Sequence, residues 1–277
     1  MTLHDRLAAL FPDASRRSLK QWLAHGRVRV NGTVERRGTA TVAAGDRVVL
    51  GKPAPPPLRG PLRIVHQDDR LLVVDKPAGL LTIATKRERE KTAYRQLSVH
   101  LAAAAGPRDR RQPLFVVHRL DRETSGLLVF ARTPAVKRTL QEQFAKRSVE
   151  RVYVAVVEGV VRPDRGTLRS HLREDAGRRV REARGPADGR EAITHWRVLA
   201  RGKDTTRLEL RLTTGRRGQI RAQLAGLGHP IVGDAAYGSS RDPLRRICLH
   251  ATRLGFVDDG EPRAFESPVP AGFLRLG

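Results

Sequence analysis

The chain has 277 residues, enough for one large domain or a large one with a small companion. Its 53 lysines and arginines against 29 acidic residues give a formal charge of +24, and a 39% hydrophobic content excludes wholesale disorder. A charge of that sign draws in polyanions, because each neutralised phosphate releases counterions, so nucleic acid is the expected partner. A membrane surface is the weaker reading, since neither an apolar run of membrane length nor a basic amphipathic helix is present.

The lone cysteine, Cys248, leaves no partner for a disulfide within this sequence and no cysteine-based zinc site. The nine histidines are scattered without HExxH-type pairing, so no metal is assigned. Phosphate-cradling glycine loops of the GxxxxGK and GxGxxG kinds are missing, and no cofactor is expected. The opening "MTLHDRLAAL" is too polar for a secretory signal, which predicts a reduced, cytoplasmic protein.

Along the chain, Leu3, Leu7 and Leu10 recur at helical spacing. Ser15 or Ser18 can cap a second helix carrying Leu19, Trp22 and Leu23, which stops at Gly26. "RVRVNG" alternates like a strand and ends in an Asn-Gly turn, and "AGDRVVL" supplies another strand. Arg16, Arg17, Lys20, Arg27 and Arg29 crowd the second helix and the strand after it. They form either a solvated face or, as their density favours, a face set against RNA. Through "SRRSLKQWLAHGRVRVNG" and "AGDRVVL" this stretch resembles an S4 RNA-binding domain, a resemblance that implies contact with structured RNA.

The tract "KPAPPPLRGP" marks a boundary, because successive prolines cannot donate to a helix or a sheet ladder. The division expected is a small RNA-binding domain over 1–51, a linker over 52–61 and a catalytic domain over 62–277. In the larger part, short strands lie around "LRIVHQDDRLLVVDKPAGLL", with a turn at Pro77 and Gly79. "LFVV" and "LLVF" read as two fully buried strands. Thr133 and Pro134 look like N-cap and first residue of a helix with Val136, Leu140 and Phe144 on one face. "VERVYVAVVEG" returns to strand, 164–192 reads as a hairpin arm or mobile loop, and "TTRLELRLTTG" turns Leu208, Leu210 and Leu212 inward. "QIRAQLAGLG" is a helix closed by Gly228. Without a regular strand-helix rhythm, the fold class expected is α+β with a mostly antiparallel sheet and flanking helices.

Between "VV" and "LLVF" runs "HRLDRETSG", a polar connection longer than an ordinary hairpin turn, and such connections are often functional. Asp121 stands there with Arg119 and Arg122 on either side. A guanidinium beside a carboxylate favours its ionised form, by about 4 kcal/mol at 4 Å and an effective dielectric of 20. That environment suits a nucleophile better than a proton donor. The bland alternative is a capped turn, with Thr124 and Ser125 satisfying backbone amides and Gly126 taking a positive φ.

The long motif "HRLDRETSGLLVFAR" resembles the signature of the RluA-type pseudouridine synthases. The likeness extends over most of 62–277 through "LLVVDKPAGLL", "ERVYVAVVEG", "TTGRRGQIRAQLAGLGHPIVGDAAYG" and "LHATRLGF". With an S4-like domain in front, the layout is similar to the branch that modifies large-subunit ribosomal RNA, with transfer RNA the other candidate. The resemblance implies that a uridine in RNA is detached at N1, rotated and rejoined through C5 by a monomeric enzyme needing no cofactor. It implies Asp121 as nucleophile, Tyr153 as the ring packed on the target base and a possible aid to C5 deprotonation, and Arg221 as the partner of the nucleophile. Attack on ribose C1′, attack on the uracil ring and a glycal route all stay open. A stacked uridine must also be flipped out, with Arg119 filling its place or holding backbone and Arg216 and Arg217 gripping phosphate.

Three departures from the pattern stand out: Gly218 where histidine is common, Asp258-Asp259 where His-Pro is common, and the divergent "LLTIATKRERE". A noncatalytic RNA-binding protein would be expected to lack Asp121, Tyr153 or Arg221, and all three are present. A hydrolase built on Ser125, His118 and Asp121 lacks the GxSxG elbow.

Overall fold

A computed structural model describes residues 1–51, 53, 54, 58, 60–105, 113–175 and 179–276. Part of the expected linker over 52–61, and 176–178 in the expected arm, lie outside the described residues. Two compact units emerge, Met1–Gly60 with Arg95–Pro113, and Pro61–Tyr94 with Leu114–Gly277.

In the first unit α1 (Leu3–Leu10) starts at Thr2, whose hydroxyl accepts from the Asp5 amide, and it buries Leu3 and Leu7 while Leu10 stays exposed. Helix α2 (Arg16–Ala24) is capped by Ser15, the first of the two serines considered, which accepts from the Ser18 amide. Strands β1 (Val28–Val30) and β2 (Thr33–Val34) meet across Asn31 and Gly32, both at positive φ as a two-residue hairpin requires. Strand β3 (Val48–Leu50) pairs on the other side of β1. Leu3, Leu7, Leu19, Leu23, Val28 and Val42 form the core of these elements.

Strands β4 (Arg63–Gln67) and β5 (Leu71–Lys76) open the second unit. Helix α3 (Ala93–Ala105), which the sequence reading left unassigned, contains the boundary between the units. Then come β6 (Phe115–Val116), β7 (Ser125–Ala131), α4 (Pro134–Ala145), β8 (Glu150–Glu158), β9 (Arg165–Glu174), β10 (Val180–Glu182), β11 (Arg190–Arg201) and β12 (Thr205–Leu212). Helix α5 (Gln219–Gly226), β13 (Leu249–Asp258), β14 (Glu261–Glu266) and α6 (Ala271–Leu274) complete it. The fold class is the expected one, α+β. Among the described residues eleven strands form one sheet, ordered β10-β9-β11-β12-β8-β13-β7-β5-β4, with β14 on β13 and β6 on β7.

Only one pairing in that sheet is parallel, β13 with β7, and it consists of two partners: His250 with Ser125 and Ala251 with Gly126. This short seam joins β4, β5, β6 and β7, which lie between Arg63 and Ala131, to β8 through β14, which lie between Glu150 and Glu266. The arm expected over 164–192 is built as β9 with β10 and then β11. "LFVV" differs from expectation. Only Phe115 and Val116 form strand, and both are half-buried, because they pair with just the last two residues of β7 before the chain leaves the sheet. "LLVF", by contrast, lies within the wholly buried β7.

Candidate active site

The chain between β6 and β7 is tied down along its length. The Thr82 hydroxyl donates to the Leu120 carbonyl at 2.8 Å and accepts from the Leu120 amide at 3.2 Å. His118 stacks on Phe144 at 4.8 Å, and its Nε2 accepts from the Val129 amide, which fixes the ring as a neutral acceptor. Burial, aided by Arg151, pushes the His118 pKa down to about 3. Lys76, at the end of β5, is fully buried, and its ammonium donates to the carbonyls of Pro77, Leu80 and Arg122. Burial lowers its pKa to about 7, against the pull of Asp121 and Glu123. One lysine thus gathers the strand end, the Pro77–Leu80 turn and the polar loop around Asp121.

The arginines adjoining Asp121 do not flank it as expected. Arg119 is exposed and has no partner among the described residues, while Arg122 directs Nε to the Gly79 carbonyl at 3.1 Å. The guanidinium near Asp121 is that of Arg221, with Nη1 3.7 Å from Oδ2. Nor is the carboxyl held low. Burial raises its pKa above the ordinary range, Arg221 opposes that and Glu123 adds to it. Desolvation exceeds the attraction of Arg221, Arg217 and Lys76.

Arg221 is itself engaged with Asp234, 1% exposed, which accepts from Arg221 Nε at 2.7 Å and Nη2 at 2.8 Å. Such a two-pronged pair fixes the plane of the guanidinium. The Tyr237 ring lies 4.8 Å beneath it. Burial works against charge on Arg221, but the Asp234 bonds outweigh it and raise its pKa above the usual arginine value. Helix α5 itself is anchored to β11 by two buried glutamines. Gln219 donates to the Ile193 carbonyl, and Gln223 donates to the Ala192 carbonyl and accepts from Thr194.

Tyr153 lies on β8, 8% exposed, and burial raises its phenol to about 12. Cα registers place Lys76, Gly126, Ala251, Tyr153 and Leu210 side by side across five strands. At the seam in this row Gly126 has φ +111°, and a Cβ there would sit 2.2 Å from the Ala251 carbonyl oxygen, so only glycine fits. The seam is also laced by side chains. Ser125 bonds His250 Nδ1 at 2.8 Å, His250 Nε2 bonds Ser267 at 3.0 Å, and Ser267 donates to Asp75 at 2.9 Å.

Asp121 and Arg221 therefore meet from opposite sides of the seam, and Tyr153 lies near enough for the charge of Asp121 to act on its phenol. The arginines expected on RNA are dispersed. Arg216 is half-buried and bonds the Glu191 carbonyl, and Arg217 is exposed and ion-paired to Glu174. In the first unit Arg16, Arg17 and Lys20 are exposed and line a shallow depression with Gln21, Ala24 and His25. Arg27 donates to the Gly51 carbonyl and lies 5.9 Å from the Trp22 ring, and Arg29 donates to the Gly32 carbonyl.

Lys76, Glu123, Asp234 and Tyr237 were given no role by the sequence reading. "VVDKPAGLL" and "GDAAYG" contain three of them, and the signal available was a charged residue ending an apolar strand. Two departures have local explanations. Gly218 caps α5 in the left-handed region, and a Cβ would meet the Tyr237 hydroxyl at 2.9 Å. Asp258 is buried and accepts from Arg70 at 2.9 and 3.2 Å, and Asp259-Gly260 form the positive-φ turn into β14.

A sequence profile of the RNA pseudouridylate synthases matches residues 70–226, and one of the S4 domain matches 1–48. A ribosomal large subunit pseudouridine synthase D of Xanthomonas campestris is 38% identical, covering 98% of this chain and 86% of that protein. Its counterpart in Vibrio cholerae is 34% identical over 99% and 89%. The solved structure of human RNA pseudouridylate synthase domain containing 1 superposes with a TM-score of 0.63 at 26% identity, covering 77% of this chain and 85% of that one.

Proposed function

Because the chain belongs to the RNA pseudouridylate synthase family and carries an S4 domain, we propose that it isomerises uridine in large-subunit ribosomal RNA with Asp121 as nucleophile. The observation that carries this reading is the meeting of Asp121 and Arg221, 3.7 Å apart, supplied by the two halves of the sheet beside Tyr153. In the reaction the N1–C1′ bond breaks, the uracil turns, a C5–C1′ bond forms, and the proton lost from C5 is balanced by one gained at N1. A carboxylate stripped of most of its water is a stronger nucleophile than a solvated one, and Asp121 retains only 27% of its side-chain exposure.

Arg221 orients that carboxylate and steadies its charge. Tyr153 offers the everted base a ring face. Its phenol, raised to about 12, keeps its own proton at neutral pH, so its first contribution is packing. The division of labour we assign is RNA capture by 1–51, with Arg16, Arg17, Lys20, Arg27 and Arg29, a spacer over 52–61, and chemistry by 62–277. Arg119, exposed beside the nucleophile, contacts the RNA, as do Arg216 and Arg217. The relatives named for the large ribosomal subunit support that substrate. We place the protein in the cytoplasm as a monomer. Among the described residues, no helix is long and apolar enough to cross a membrane.

The test is Asp121→Asn in a single-turnover assay on unmodified large-subunit ribosomal RNA. Pseudouridine formation is expected to vanish while RNA binding persists, and full retained activity refutes the assignment. Primer-extension stops after carbodiimide treatment, compared between wild-type and deletion cells, identify the uridine. Stops lost from transfer RNA alone would refute the ribosomal substrate.

A further inference from the structure

After Asp234 takes Nε and Nη2, Arg221 has one nitrogen left for the reacting carboxylate, and that nitrogen is contested. Nη1 lies 3.3 Å from Glu123 Oε2, within hydrogen-bonding reach, and 3.7 Å from Asp121 Oδ2, outside it. Glu123 follows Asp121 by two residues on the same loop and is the more exposed of the two, 44% against 27%. We propose that Glu123 is a positioning residue that occupies the open edge of Arg221 and thereby sets how much negative charge Asp121 carries before RNA arrives. This deepens the reading of Asp121 as nucleophile and rests on it.

The physical case is the sharing of one guanidinium among three carboxylates. Asp234 is buried and doubly bonded, so its claim is fixed. The remaining attraction is divided between Glu123 and Asp121, and the divider is the half-exposed Glu123. Neutralising it acts on Asp121 twice in one direction: it removes a like charge from the same loop, and it weakens the bond that holds Nη1 away from Asp121. The other groups felt by Asp121 are Arg217, just before α5, and Lys76 of β5, both attractive, while the phenols of Tyr153 of β8 and of Tyr237 beneath Arg221 feel its charge in turn. None of these bonds Glu123, so replacing Glu123 leaves their placement intact.

Glu123→Gln keeps the size and an accepting oxygen while losing the charge, and Glu123→Asp keeps the charge. The first measurement is the titration of the Asp121 carboxyl by carbon NMR in the RNA-free protein, identified by the resonance lost in Asp121→Asn. The second is the acid limb of single-turnover pseudouridine formation at saturating unmodified large-subunit ribosomal RNA. In Glu123→Gln the NMR midpoint is expected to fall by about half a pH unit or more, with the rate limb moving the same way. Glu123→Asp is expected to stay near wild type. A Glu123→Gln midpoint that coincides with wild type in a protein of unchanged thermal midpoint overturns the proposal, as does an equal shift in both variants. If Asp121→Asn remains active the nucleophile reading fails. If it is inactive and the Glu123→Gln midpoint is unmoved, only the role of Glu123 fails.

Discussion

Two helices of this chain use arginine in opposite ways. On α2, Arg16 and Arg17, with Lys20, extend into solvent and have no partner among the described residues. On α5, Arg221 is 12% exposed, doubly bonded to Asp234, underlain by Tyr237 and placed within 4 Å of two more carboxylates. The first arrangement provides attraction without geometry, and the second provides geometry at a heavy desolvation cost. Exposed cations are screened by salt, whereas a buried, bonded guanidinium is screened much less. The difference implies that the exposed cations of α2 and the buried cluster around Asp121 respond to different variables, the one to ionic strength and the other to proton uptake.

Breaking the buried arrangement should have the largest effect. Arg221→Lys keeps the charge but cannot bond Asp234 with two parallel donors, so the single-turnover rate should fall on the order of 100-fold as Asp121 loses its alignment. The same variant should lose about 3 kcal/mol in urea denaturation, because Asp234 is left buried and incompletely paired. On the exposed side, Arg16→Ala combined with Arg17→Ala and Lys20→Ala should weaken RNA binding without moving the thermal midpoint. The slope of log affinity against log salt should become shallower by about 2 if these cations meet phosphate, each contributing about 0.7 to 0.9. An unchanged slope would remove α2 from the RNA interface.

Proton linkage sharpens the contrast. His118 and His250 are held neutral by burial, with pKa values lowered to about 3 and about 4. Between the ordinary histidine value and those values the unfolded chain binds protons that the folded chain refuses. Their contribution to stability is therefore complete above about pH 6.5 and is lost as the pH falls toward 4 and below. His118→Phe should flatten part of that decline in thermal midpoint, and an identical slope would show that His118 does not titrate on unfolding. The smallest effect is expected at Arg217, whose partner Glu174 is itself half-exposed. Arg217→Ala should change stability by less than about 1 kcal/mol, measured by urea denaturation, so a larger loss would mean that this pair is structural.

Local signals made much of this legible. Ser15, Thr133 with Pro134, Asn31-Gly32 and Gly228 each mark a boundary by chemistry that acts within a few residues, and each marks one in the structure. The buried strand LLVF and the alternation of Leu208 and Leu210 were equally readable, because burial follows from pattern. Partnership across the sheet was not. Arg119 and Arg122 lie close to Asp121 in sequence, yet the guanidinium that approaches it comes from residue 221, which only the family resemblance and no local pattern singled out. The sign of the Asp121 shift followed the same error, since attraction can be guessed from neighbours while desolvation depends on everything packed around the group. Lys76 carries no local signal of its role because its three acceptors are backbone carbonyls, which have no sequence signature.

The two-residue seam between β13 and β7 has a consequence for how the enzyme becomes an enzyme. Either half of the sheet can be stitched together from contacts within its own stretch of chain, but Asp121 arrives with one and Arg221, Asp234 and Tyr153 with the other. Refolding should therefore recover most secondary structure before it recovers turnover. A methyl group added at Gly126 would wedge two nearly finished halves apart, leaving a well-ordered protein in which Asp121 and Arg221 never meet.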